Sequence, residues 1–146
     1  MLTQNSVPLI NGCRWVAAPS ERAGPSVETW NLSAMLGFDA LRIFWLTNVG
    51  QDQWRGRHAH RQSILATFAV AGSCELALDD GRRKQIVDLR DDGPGLIIGP
   101  MIWHELYDFS SDTVILVVAS TRYDESEYIR DYASFVKEVV RNEPGR

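Results

Sequence analysis

Apolar and polar positions alternate with a period of two along most of the chain, the pattern of strands that bury one face. Residues 41–47 contain Ile43-Phe44-Trp45-Leu46, a run rich in β-forming side chains. Strand patterns recur at residues 64–70, 74–78, 84–89, 96–98, 103–107 and 113–119, with Gly, Pro, Asp or Ser in most of the gaps. In Asp79-Asp80-Gly81-Arg82, the Asp80-Gly81 pair suits a type I′ hairpin, whose twist matches that of the strands it joins. Upstream, 27–32 reads as a strand, 33–37 as a short helical turn or a loop, and 1–25 as strand, loop, strand, with 19–25 the loop. Short strands spaced roughly 8–12 residues apart predict an all-β sandwich or barrel. The period changes near the end, where Tyr128, Ile129, Tyr132, Phe135, Val136, Val139 and Val140 form one stripe of an α-helix. Asp124 followed by Glu127 is a variant capping box, so a helix over about 125–141 is predicted on the outside of the barrel.

Composition narrows the partners. The 146 residues suit a single domain, 1–146, and 45% hydrophobic with 23% charged residues is ordinary for a globular protein. A net charge of −4 offers no broad attraction for nucleic acid or acidic lipid, so neither is expected and any anion must be recognised locally. Of the 15 basic residues 13 are arginine, which suits bidentate phosphate or carboxylate contacts. Cys13 and Cys74 are too few for a disulfide scaffold and form no C-x-x-C pair. Residues 1–15 lack a charged start followed by a long apolar run, and nowhere do 18 apolar residues follow one another, so a cytoplasmic protein is expected.

Candidate chemistry gathers at Arg55-Gly56-Arg57-His58-Ala59-His60. Alternate side chains of a strand share a face, which puts His58 and His60 on one side, roughly 6.5–7 Å apart at the backbone. The third histidine, His104, follows the turn signal Gly99-Pro100 on another predicted strand. Singly, each is most simply a hydrogen-bonded strand histidine; together, with arginines alongside, they point to a pocket. Acid–base work at neutral pH is one use, with a substrate carbon made acidic by a neighbouring ketone. Arg55 is at odd spacing from His58 and would face outward in a straight strand, but Gly56 can relax the register through a bulge. A metal is the other use, since neutral imidazole binds zinc, copper and iron.

The ordered motifs resemble the cupin-fold 3,4-ketoisomerases that act on thymidine-diphosphate-linked 4-keto-6-deoxyglucose, over about residues 42–135. The resemblance lies in Arg55-Gly56-x-His58-Ala59-His60, Gly72-Ser73 leading to Asp79-Asp80-Gly81, and Gly99-Pro100-x-x-Trp103-His104-Glu105 leading to Asp108-Phe109-Ser110. It continues in Leu116-Val117-x-Ala119-Ser120 and Tyr123-Asp124-Glu125-x-x-Tyr128-Ile129-Arg130. It implies a cupin-like double-stranded β-helix, or jelly-roll barrel, with a C-terminal helix, and a metal-independent isomerase without cofactor. His58 and His60 are then catalytic, with His58 taking the C3 proton and His60 assisting. Arg42, Phe44, Arg55 and His104 are then substrate-binding, and a homodimer exchanging N-terminal strands is implied. The chain departs from the family pattern at Phe44, where a tyrosine is usual, and at Ile64-Leu65, where a Glu-Gln pair is usual. Glu21-Arg22-Ala23-Gly24 approximates the family's N-terminal Asp-x-Arg-Gly element. Cupins that bind metal usually carry a glutamate three or four residues after His-x-His, where this chain has Ser63 and Ile64. Two alternatives stand beside the isomerase: a non-catalytic sugar-nucleotide-binding cupin, and a metal cupin using His58, His60 and His104.

Overall fold

The structure, a computed structural model, describes residues 8–18 and 28–144. The predicted loop at 19–25 and the Glu21–Gly24 element lie outside the described residues. Among the described residues ten strands form two antiparallel sheets: β1 (Cys13–Val16), β7 (Gly95–Ile98), β4 (Leu65–Ala71), β9 (Val114–Ala119) and β2 (Arg42–Leu46) in that order make the first. The second runs β10 (Tyr128–Ile129), β3 (Arg55–His60), β8 (Trp103–Tyr107), β5 (Ser73–Asp79) and β6 (Lys84–Arg90). This is the expected cupin-like all-β architecture, built as two packed sheets rather than one continuously hydrogen-bonded cylinder. Among the described residues no helix is long and apolar enough to cross a membrane.

Alternation decides what faces the core. Cys74, Leu76 and Leu78 on β5 and Leu96 and Ile98 on β7 point between the sheets, where Phe109 and Ile115 join them. β4 is buried on both faces: Phe68 and Ala66 look away from that core toward a second cluster with Val118 and Leu36. Leu36 belongs to α1 (Leu32–Leu36), which ends at Gly37 in the left-handed conformation, φ 72°. Here the structure departs from the predicted strand over 27–32. Its described part, 28–31, joins no sheet; Trp30 instead packs edge-on to Phe68, 4.6 Å between ring centres, covering the sheet instead of extending it.

The C-terminal stripe is also divided differently. The predicted helix over 125–141 is a 3₁₀ turn (Glu125–Glu127), then β10, then α2 (Tyr132–Arg141). Two aspartates cap two separate starts: Asp124 accepts from the Ser126 N–H, and Asp131 accepts from the Ser134 N–H. Between them Tyr128 and Ile129 pair with His60 and Ala59, so Ile129 is buried through a strand. Phe135 then seats α2 on the outer face of the second sheet against Trp103 and Ala59.

Candidate active site

β3 carries the reactive side chains and owes its shape to a bulge. Arg55 stands opposite Leu106 and His58 opposite His104, with a register shift between Gly56 and His58. Leu106 and His104 are two residues apart on β8 and share a face, so the extra residue places Arg55 on the same face as His58. The local backbone is left-handed at two successive residues, Gly56 at φ 81° and Arg57 at φ 58°. A β-carbon on Gly56 would stand 2.8 Å from the His104 carbonyl oxygen, which is why glycine is needed there. Arg57 turns outward over the Trp54 ring at 4.8 Å, and Arg61 pairs with Glu138 of α2 at 2.7 Å.

The three imidazoles converge. Ring centres lie 4.7 Å apart for His58 and His104, 4.9 Å for His58 and His60, and 5.7 Å for His60 and His104. Each ring is tethered through Nδ1. The Gly56 carbonyl accepts from His58 at 3.0 Å and the Ile102 carbonyl from His104 at 3.1 Å. A carbonyl oxygen only accepts, so in both neutral rings the hydrogen is on Nδ1 and the lone pair on Nε2. The His60 Nδ1 meets a carboxylate instead, Glu127 Oε2 at 3.0 Å.

Burial governs the electrostatics. It pushes His58 down to about 4, helped by the neighbouring His60, and His104 down to about 3. His60 is also lowered by burial, although Glu127 pulls the other way. Burial pushes Glu127 up, but it accepts from the Ser63 N–H at 2.5 Å, His60, the Ser63 hydroxyl at 2.7 Å and the Gln62 N–H at 2.9 Å. Those bonds prevail and bring the carboxyl to about 2. At neutral pH the pair is therefore an anionic carboxylate and a neutral imidazole.

His58 and His104 open on a cavity of about 110 Å³ walled by Phe44, Arg55, Thr67 and Leu106 among others. Arg55 is exposed and donates to the Trp54 carbonyl at 2.8 Å, leaving most of its guanidinium toward the mouth. The Arg42 guanidinium lies 5.4 Å from the Phe44 ring and 5.5 Å from the Tyr123 ring. Its Nε and Nη2 are shielded from solvent with no acceptor among the described residues. Donors of that kind call for an anionic or carbonyl oxygen. The predicted residues His58, His60, His104, Arg42, Phe44 and Arg55 thus gather about one region. Ile64-Leu65 contributes Leu65 to the apolar wall.

Two residues of the site are not among the candidate site residues that the sequence singles out. Tyr128, assigned there to a helix stripe, packs on the His60 ring at 4.4 Å and the His58 ring at 4.9 Å. Glu127 was read only as a capping residue. The second cap at Asp131 was the signal that the helix starts later and frees both for the site. The three histidines also qualify by spacing for a metal, their nearest ligand atoms all within 4.8 Å of one another. Zinc–nitrogen bonds of about 2.0–2.1 Å need the donors closer than the upper end of that spacing.

The comparisons agree with this geometry. A family model described as WxcM-like, C-terminal, matches residues 17–140. The TDP-4-oxo-6-deoxy-alpha-D-glucose-3,4-oxoisomerase of Aneurinibacillus thermoaerophilus is 39% identical over 104 residues, 71% of this chain and 75% of that protein. A histidine-to-asparagine mutant of the 3,4-ketoisomerase QdtA from Thermoanaerobacterium thermosaccharolyticum, in complex with TDP-4-keto-6-deoxyglucose, superposes with a TM-score of 0.86. It is 27% identical, covering 93% of this chain and 99% of that one. The TDP-fucose-3,4-ketoisomerase WlaRA from Campylobacter jejuni gives 0.80 at 35% identity, covering 88% and 96%. With a family model spanning most of its length and a relative this similar, the chain belongs to the WxcM-like, C-terminal family.

Proposed function

We propose that the protein is a sugar-nucleotide 3,4-ketoisomerase that moves the keto group of dTDP-4-keto-6-deoxyglucose from C4 to C3 through an enediol, without metal or cofactor. The observation that carries this reading is the convergence of three Nδ1-tethered imidazoles beside the buried, unpartnered donors of Arg42. The named activities of the relatives support it. His58 is the base: half-buried, neutral near pH 7 and free at Nε2, it takes the C3 proton and returns a proton to C4. Arg42 receives the oxygen that becomes negative, as a fixed donor in a water-poor site. His104 and Phe44 shape the sugar pocket, and Arg55 at the mouth takes the diphosphate.

The same reading holds that the chain works as one domain in a cytoplasmic homodimer. Two free cysteines suit a reducing compartment. The edge strand β2 turns Trp45 (62% exposed) and Ile43 (54%) outward, a patch that a second copy of this chain would cover. Of the N-terminal strands implied to exchange, β1 pairs with β7 of its own chain, and residues 1–7 lie outside the described residues.

Incubation with TDP-4-keto-6-deoxyglucose, followed by proton NMR, tests the proposal. Appearance of a 3-keto sugar supports it. Tight binding of the nucleotide sugar with no conversion indicates a binding module instead. The metal reading rests on the histidine spacing and requires near-stoichiometric metal in the purified protein, with activity lost to a chelator.

A further inference from the structure

Moving the keto group to C3 makes C4 a new stereocentre, whose configuration the ketoisomerase reading leaves open. The cavity beside His58 divides between the two sheets. Arg55, His58 and His104 come to it from β3 and β8 of the second sheet, while the opposite wall, from the first sheet, is aliphatic apart from Phe44 and Thr67. His60, on β3, belongs to the second sheet as well. Acid–base groups therefore meet the cavity from one side. Among the described residues of the opposite wall, Thr67 offers a hydroxyl that hydrogen-bonds but is no acid near pH 7. The Arg42 guanidinium, on β2 of that sheet, does not release its proton. Tyr123, beyond Arg42, donates its hydroxyl to Glu125 at 2.5 Å.

We propose that the proton leaves C3 and arrives at C4 on the same face of the sugar ring, so that the product is TDP-3-keto-6-deoxygalactose, with an axial C4 hydroxyl. This assignment rests on the ketoisomerase reading above. In the chair of an α-linked 4-keto-6-deoxyglucose, the C3 hydrogen is axial and shares its face with the axial C1 oxygen that carries the diphosphate. Arg55 and His58 share one face of their sheet through the bulge. A diphosphate drawn to Arg55 thus turns that face of the sugar toward His58. The C3 hydrogen leaves as a proton, its electron pair forms the C3–C4 double bond, and the C4 carbonyl pair moves onto O4. The O3 hydroxyl proton passes to O4, the O3 pair forms the C3 carbonyl, and the double-bond electrons take a proton at C4. Protons and electrons balance without an oxidant. Whichever histidine supplies that last proton, it comes from the second sheet and sets the C4 hydrogen equatorial. The gluco epimer needs a proton from the first sheet, whose described lining residues have none to give.

The unmodified protein tests this with TDP-4-keto-6-deoxyglucose in ordinary water. Proton NMR of the product at low conversion reads the configuration from the coupling between H4 and H5, small for an equatorial H4 and large for an axial one. A positioned acid contributes roughly 10²–10⁴ in rate, so the galacto product is expected in about 10-fold excess or more over the gluco product. A smaller excess, or a gluco majority, overturns the proposal, because it requires a proton source on the first-sheet side. A protein that forms neither product overturns the ketoisomerase reading instead.

Discussion

His58 and Arg42 carry separable parts of the chemistry. His58→Asn retains a polar side chain without a basic nitrogen, so kcat should fall roughly 10²–10⁴-fold with a much smaller change in KM. A kcat within a few-fold of the unmodified value in steady-state assays would remove His58 from its role. Arg42→Met leaves the negative oxygen without its donors and should cost about 10²–10³-fold in kcat/KM. The pH profile follows from burial: with His58 held at about 4, the base stays unprotonated down to that pH, and it loses its lone pair below it. The acid limb of kcat/KM should therefore lie well under the ordinary histidine value of about 6.5. The histidines could be read from the sequence because strand alternation alone puts two of them on one face. Glu127 and Tyr128 are harder to read, because Asp124-x-x-Glu127 ahead of an apolar stripe is equally the start of a helix; the second cap at Asp131 is the local sign of a later start, and the pairing of Tyr128 with His60 settles the choice.

The bulge in β3 is the element on which the site depends. Gly56 is left-handed and closely approached by the His104 carbonyl, so Gly56→Ala forces the strand to shift. A stability loss of about 1–3 kcal/mol is expected, read as a lower melting temperature, together with a fall in kcat as His58 and Arg55 lose their common face. The sequence showed the glycine and its possible use, but the two-residue left-handed stretch through Arg57 has no signature of its own. At the other end, Asp131→Ala removes the α2 cap and should cost about 1 kcal/mol with little effect on turnover, since the helix supports the sheet from outside. The predicted strand over 27–32 misled for the opposite reason: its apolar residues cover a sheet face, and burial against a sheet leaves the same apolar signal as membership in it.

For the whole molecule, the buried histidines couple folding to pH. In the folded state His58 and His104 lie below their ordinary value of 6.5, so the unfolded chain binds more protons between that value and about 3. Their neutral burial contributes in full above 6.5 and less as pH falls toward about 4 and then 3; Glu127, held at about 2 against 4.5, adds to the same acid loss further down. The melting temperature should accordingly drop from pH 7 toward pH 4, and His104→Asn should flatten that slope. The two-sheet architecture was legible from strand spacing, whereas the packing of sheets that brings Arg42 of one toward the histidines of the other depends on contacts no local pattern records. The central claim, that a carbon-bound proton passes through His58, is tested most directly in deuterium oxide with TDP-4-keto-6-deoxyglucose. Deuterium should enter C3 of the recovered substrate and C4 of the product, and both signals should vanish in a folded His58→Asn protein. No incorporation with the unmodified protein, or full incorporation with the variant, would contradict the claim.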